Sequence, residues 1–123
     1  MSPEEVIATF VAAVERGDID EALKQLAPEC EYDNVPMGKN IGHEAIRQTL
    51  AIFVSPENPP RFEVIRQVAQ GNLVFNERVD HLVVGGKPLE VPVVGVWEID
   101  SGTSKITLWR DYFDMGQISS QMA

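Results

Sequence analysis

Three short stretches of the chain carry side chains able to do acid–base chemistry: YDN at 32–34, NERVD at 76–80 and WRDYFD at 109–114. In an extended chain successive side chains leave opposite faces. Arg78 and Asp80 therefore share a face with Val74 and Leu82, and Val79 takes the other. The same alternation pairs Tyr32 with Asn34. It also sets Asp111 beside Trp109, Phe113 and Met115, with Arg110, Tyr112 and Asp114 opposite. Charges in an apolar row cost free energy unless they hydrogen-bond to one another. A guanidinium fork can hold a carboxylate on each side. If the rows of Leu82, Val91, Val93 and Phe113 line a pocket, then Arg78, Asp80 and Asp111 converge on it.

Charge counting turns that cluster into a mechanism. Two ionised aspartates and one guanidinium leave a net negative charge in an apolar site. One retained proton neutralises it, so one carboxyl should titrate high. A protonated and an ionised carboxyl side by side are an acid and a base ready together. Tyr32 and Asn34 can meanwhile fix a water against the base. Activated water plus a proton donor, with no nucleophilic side chain, suits the opening of a small strained ring. The residues alone do not say which aspartate is acid and which is base.

Plainer readings exist for each residue. An R-x-D in a strand, taken alone, is more often a structural ion pair or part of a solvated face. Tyr32 fits equally a core tyrosine with a backbone partner for its hydroxyl. His43 and His81 read as structural, Asp33 and Asp114 as solvated, and Trp97 and Trp109 as packing residues.

The elements that must position these residues are legible as patterns. Ser2-Pro3-Glu4-Glu5 is a helix start with a capping box, followed by Val6, Phe10, Val11 and Val14 at helical spacing and by Gly17 as a stop. Asp18 and Glu21 read as a second capping box, with Ala22, Leu23 and Leu26 inward and Pro28 ending the helix. An extended stretch from Cys30 to Val35 precedes a third helix over Gly42–Val54, carrying Ile46, Leu50 and Phe53. Strands are expected over Phe62–Ala69, Leu73–Val84, Leu89–Ile99 and Lys105–Met115, separated by Gly-rich turns. Helices first and an antiparallel meander after them predict an α+β domain, the helices packed on one face of the sheet.

Composition narrows the class. At 123 residues, 44% hydrophobic and 24% charged, the chain suits one globular domain spanning 1–123. Nineteen acidic against ten basic residues give a net charge of -9, which argues against nucleic acid and anionic membranes as partners. No stretch approaches the roughly 20 apolar residues that span a bilayer. MSPEEVIATF does not read as a signal peptide, and the single Cys30 fits a reducing cytoplasm. Two scattered histidines and one cysteine have no metal-ligand spacing, and no nucleotide-binding glycine motif is present, so neither metal nor cofactor is expected.

Taken in order and with this layout, YDN, NERVD and WRDYFD resemble the limonene epoxide hydrolase family, within the wider group similar to nuclear transport factor 2 and SnoaL-type cyclases. The resemblance runs from about Val6 to Met115, and WRDYFD preceded by ERVD is its specific part. It implies a curved, mainly antiparallel sheet forming a cone with a deep apolar pocket. It also implies an Asp-Arg-Asp triad that opens an epoxide without a cofactor. Carried over by motif, Asp111 would activate water, held by Tyr32 and Asn34; Asp80 would protonate the epoxide oxygen; Arg78 would bridge the two carboxylates. The resemblance further implies pocket walls at Val11, Val14, Phe53, Leu82, Val91, Val93 and Phe113. It implies a homodimer as well, for which Ile106, Leu108 and Tyr112 offer an outward apolar surface. Two stretches depart from the family pattern, the short tail MGQISSQMA and FVSPENPPRF near the expected pocket mouth. Both bear on the substrate and not on the triad.

Overall fold

The first helix of the computed structural model, which describes residues 1–123, starts as its sequence predicts. In α1 (Pro3–Glu15) the Ser2 hydroxyl accepts from Glu5 N, and the Glu5 carboxylate accepts from Ser2 N, completing the capping box. Its buried stripe is Val6, Ile7, Phe10, Ala13 and Val14. Gly17 follows at φ +76, where a β-carbon would also strike the Ser55 backbone. In α2 (Ile19–Leu23) only half of the expected capping box forms. Asp18 accepts from Glu21 N, but the Glu21 carboxylate takes Lys24 instead.

Six strands form one sheet: β1 (Leu26–Asn34), β2 (Gly38–Ile41), β3 (Arg61–Gln70), β4 (Leu73–Val84), β5 (Lys87–Asp100) and β6 (Lys105–Tyr112). Their order is β2-β1-β6-β5-β4-β3. Only β1 and β6 run parallel; every other pair is antiparallel. The sheet is curved, and α3 (His43–Leu50) packs near β1 and β2. The architecture is thus α+β with helices on a mainly antiparallel curved sheet, as expected, and β4 has the predicted bounds. No helix is long and apolar enough to cross a membrane.

Two rows of inward side chains cross this sheet. In one, Tyr32 lies opposite Trp109, Trp109 opposite Trp97, and Trp97 opposite Val74. The rings stack with planes 7° apart: Tyr32 and Trp109 at 3.8 Å between centroids, Trp109 and Trp97 at 5.1 Å. Phe10 of α1 meets both indoles edge-on, at 5.8 and 5.1 Å. This aromatic row is the centre of the core. The adjacent row is polar: Asn34 opposite Asp111, Asp111 opposite Gly95, and Gly95 opposite Asn76.

Several local expectations need correction. Pro28 does not end a helix; it lies inside β1, where the register with β6 shifts between Leu26 and Glu31, the kind of irregularity that accommodates proline. The hairpin partner β2 was not expected at all. His43–Leu50 is shorter than the predicted third helix, and turns follow it. Ile106 is not outward: it is fully buried. Glu98 pairs Leu108 and Ile99 pairs Ile106, so Thr107 is an extra residue on β6, and such a bulge reverses the facing of everything before it. Met115 does not extend β6. It opens α4 (Met115–Met122), a helix absent from the sequence-based expectation.

Helix α4 is held by few interactions. Asp114 caps it, accepting from Gly116 N at 2.8 Å. The Gln121 amide exchanges two hydrogen bonds with the Glu90 backbone, and Lys87 Nζ donates to the carbonyls of Met122 and Ala123. None of its residues is fully buried. Loss of an N-cap costs about 1 kcal/mol. Asp114→Ala should therefore lower amide-exchange protection over 115–122 about fivefold while leaving the global melting temperature almost unchanged. A large drop in melting temperature would refute this weak coupling of α4 to the core.

Candidate functional site

Strand β4 places Asn76, Arg78 and Asp80 at alternate positions on the inner face, and all three are buried. Arg78 has no exposed side-chain surface. Its Nε donates to Asp80 Oδ1 at 3.0 Å and its Nη2 to Asp80 Oδ2 at 2.9 Å, a fork-on-fork pair. The same Nη2 donates to Asp111 Oδ2 at 2.9 Å. Nη1 donates to Asn76 Oδ1 at 3.0 Å. The guanidinium also lies over the Phe62 ring, 5.0 Å from its centroid. Arg78, Asp80 and Asp111, predicted to share a site, are brought together.

Long-range pairing supplies the rest. Asp111 stands opposite Gly95, and the absence of a side chain there opens the path from β6 to β4. A β-carbon at Gly95 would strike Arg78 Nη1 and sit 2.8 Å from Asn76 Oδ1 and 2.9 Å from Asp111 Oδ1. The parallel β1–β6 pairing sets Asn34 beside Asp111, with Val35 N donating to the Asp111 carbonyl at 3.1 Å. Tyr32, one row away, is stacked on Trp109. The indoles also donate hydrogen bonds into the polar row: Trp109 Nε1 to Asp111 Oδ1 at 2.9 Å, and Trp97 Nε1 to Asn76 Oδ1 at 3.1 Å. The tryptophans read as packing residues thus pack and donate.

The electrostatics follow from burial. Desolvation holds the Asp111 carboxyl above the usual carboxylate range; the Arg78 charge and hydrogen bond oppose that shift, and the Asp80 charge adds to it. The Tyr32 hydroxyl is pushed up by burial and by the Asp111 charge, so it stays neutral and keeps its proton. Burial works against the Arg78 cation, but Asp111 and Asp80 outweigh it and hold the proton on.

These groups floor an apolar cavity of about 180 Å³. One water needs about 10–15 Å³ by the same kind of measure, so the space suits an organic ligand and not a single solvent molecule. Twelve of its sixteen lining residues are hydrophobic; the others are Asn34, Thr49, Asp80 and Asp111. Tyr32 lines it too, whereas Arg78 lies behind the aspartates and does not. Of the expected walls, Phe53, Leu82, Val91, Val93 and Phe113 line the cavity. Val11 and Val14 do not: Val14 is fully buried in the core that α1 makes with the aromatic row, and Val11 packs against that core. Helix α1 covers a different part of the inner face.

The expected bystanders separate clearly. His43 Nε2 donates to the Leu26 carbonyl, and His81 pairs with Glu63, both away from the cavity. Asp114 is exposed and caps α4. Asp33 is on the opposite face, as alternation requires, but is not solvated; Arg110 covers it through a 2.8 Å hydrogen bond. Lining residues that sequence reasoning missed include Met37, Thr49, Ile52, Leu89, Ile118 and Met122. Leu89 was recoverable, because it continues the Val91 and Val93 alternation. So were Ile118 and Met122, at helical spacing after an N-cap aspartate.

Comparison with known proteins identifies the family. The family model described as limonene-1,2-epoxide hydrolase catalytic domain matches residues 1–123. The chain is 34% identical over 111 residues to epoxide hydrolase EphG of Mycobacterium tuberculosis (strain ATCC 25618 / H37Rv), covering 89% of this chain and 71% of that protein. A solved LEH-like epoxide hydrolase from M. tuberculosis superposes with a TM-score of 0.80 at 27% identity, over 97% of this chain and 87% of that one. An NTF2-like protein of unknown function from Cytophaga hutchinsonii ATCC 33406 shares the fold, with a TM-score of 0.75 at 19% identity, over 97% and 96% of the two chains. With a whole-length family match and a relative above 30% identity, the chain belongs to the limonene-1,2-epoxide hydrolase family.

Proposed function

We propose that this protein is a cofactor-independent epoxide hydrolase that adds water to an apolar epoxide in one push-pull step, giving a vicinal diol. The observation that carries the reading is one buried guanidinium shared by two carboxylates at the floor of an apolar cavity. Asp111 takes a proton from water held by Tyr32 and Asn34. The water oxygen forms its bond to one epoxide carbon as that carbon's bond to oxygen breaks. Asp80 delivers its proton to the departing oxygen, and Arg78 holds both carboxyl groups in place throughout. The site's total charge is the same before and after, which matters where solvent cannot screen it. Burial raises the Asp111 carboxyl, which favours one retained proton in the coupled pair; Asp111 is assigned as base by the family motif and not by that shift.

A ketosteroid-isomerase- or SnoaL-like proton shuttle and a non-catalytic ligand-binding module are the competing readings. Proton shuttling in ketosteroid isomerase needs a carboxylate base and an oxyanion hole. It gives no reason for an arginine joining two carboxylates, which favours the hydrolase. Turnover of a panel of terpene, cycloalkene and styrene-type epoxides separates the three, and no diol from any of them would refute our reading. In oxygen-18 water a single turnover should label the diol. Label-free diol in that first turnover would mean a covalent ester on a carboxylate.

Asp80→Asn and Asp111→Asn should each lower kcat by about 10²–10⁴-fold, the usual contribution of one acid or base. Both variants should fold. Each removes one carboxylate from the buried Arg78 ion pair while the other stays in place, a stability loss of up to about 3–5 kcal/mol. Wild-type turnover in either variant would remove that residue from its role.

The pH dependence has a definite sign. Activity rises as the base deprotonates and falls as the acid does, so the profile is bell-shaped and its limbs belong to the coupled pair. Because Asp111 is raised, the rising limb lies above the ordinary aspartate value of about 3.9. A rising limb at or below that value would contradict the base assignment.

The outer sheet face carries exposed Val68, Phe75, Val94 and Tyr112, a surface suited to pairing two copies of the chain in the cytoplasm. Light scattering should report a homodimer, and Tyr112→Glu should reduce its mass to that of the monomer. A monomeric wild type would refute the pairing.

A further inference from the structure

The triad description leaves one end of Arg78 unexplained. Its Nη2 end faces two carboxylates, yet its Nη1 end is met by the neutral side chain of Asn76. The orientation of that amide is fixed by its neighbours. Its oxygen accepts from both Arg78 Nη1 and Trp97 Nε1, at 3.0 and 3.1 Å, and its Nδ2 donates to Gln67 Oε1 at 3.2 Å. Reversing the amide would set its N–H groups against two other donors. Asn76 is 2% exposed and does not line the cavity. Across the register from it, Gly95 leaves vacant the space that Nη1 fills.

We propose that Asn76 is a positioning residue for the reaction: a neutral acceptor that fixes Arg78 from behind without adding a third negative charge, in room that Gly95 provides. The neutrality is the point. An acceptor at this place is required, because a buried guanidinium N–H without a partner is costly. A carboxylate would supply the acceptor, but it would also repel the negative charge on Asp80 and Asp111. Two aspartates and one arginine need one proton for neutrality; a third carboxylate would require two. The acid and base would then both be protonated at a pH where the native pair holds a single proton. Asn76 thus sets the pH at which the pair works without touching substrate. Trp97 adds to the arrangement, since its N–H holds the acceptor oxygen in place and ties it to the aromatic row.

Asn76→Asp isolates the charge. It keeps the oxygen acceptor for Arg78 and Trp97, and the exposed Gln67 amide can turn to donate where it now accepts. Like charge favours the protonated form of each neighbouring carboxyl. Both limbs of the pH–rate profile should therefore move to higher pH, by about one unit. Asn76→Ala removes the acceptor itself. Its kcat should fall about tenfold or more with KM within about twofold, because no cavity contact is lost. Gly95→Ala should lose activity more severely, since its methyl displaces the guanidinium.

The kinetic arm rests on the hydrolase reading, so a second measurement stands apart from turnover. In nitrogen-15-labelled protein the Arg78 guanidinium and Trp97 indole N–H signals should exchange slowly with solvent. Asn76→Ala should speed Arg78 exchange at least tenfold while a thermal melt still reports a folded protein. If the wild type hydrolyses no epoxide, the hydrolase reading fails and this exchange measurement alone decides the role of Asn76. Arg78 exchange unchanged in Asn76→Ala overturns the inference. So does an active wild type whose Asn76→Asp and Asn76→Ala variants keep its kcat and pH profile.

Discussion

A guanidinium with no exposed surface has to be compensated where it stands, and the fold around Arg78 follows from that requirement. Removing the partner of a buried ion pair costs about 3–5 kcal/mol, so each acceptor around such a cation is a structural obligation. The acceptors come from two strands. Asn76 and Asp80 are supplied locally by the alternation of β4, two residues either side of Arg78. Asp111 arrives from β6, and it reaches the cation because β5 between them has no side chain at Gly95. Filling Gly95, or slipping either register by one residue, would separate a charge from its partner. A one-residue slip sends the whole row to the other face.

The site and the core are coupled through the tryptophans. The aromatic row packs beside the polar row, and each indole spends its N–H on a polar neighbour, Trp109 on Asp111 and Trp97 on Asn76. Both indoles are fully buried and stacked on one another, with Phe10 of α1 against their edges. The N–H direction is set by ring packing over a large apolar area and not by a mobile side chain. The Asp111 carboxyl and the Asn76 amide oxygen therefore inherit the rigidity of the core.

Much of this was legible in the sequence, and the illegible parts have physical reasons. Period-two alternation places Arg78 and Asp80 on one face and gives β4 its observed bounds, because a half-buried strand must alternate. Alternation cannot see a bulge, and the extra residue at Thr107 is why Ile106 was read as outward when it is core. Nor can it see which strands become neighbours. The parallel β1–β6 pairing, which sets Asn34 beside Asp111, is long-range; chemical role and the family resemblance anticipated that proximity, and alternation did not. Val11 and Val14 were read as pocket walls because helical periodicity identifies a buried face without saying which part of the sheet it covers. Asn76 escaped notice because a neutral amide in an apolar row looks harmless, whereas a charge in the same row demands a reason.

The cavity combines a rigid floor with a loosely held cover. The floor is built from strands whose polar side chains answer one another inside the core. The cover includes Ile118 and Met122 of α4, a helix with no fully buried residue, held by a cap, one glutamine, one lysine and the packing of Ile118 on Leu89, Val91 and Val93. Elements of that kind open at little free-energy cost while the core stays folded. Ile118 and Met122 line the cavity, so any apolar surface placed against them is buried partly by α4. Stability in the floor and marginal stability in the cover are therefore complementary demands of the same pocket. The sequence meets them with long alternating strands on one side and eight sparsely anchored residues on the other.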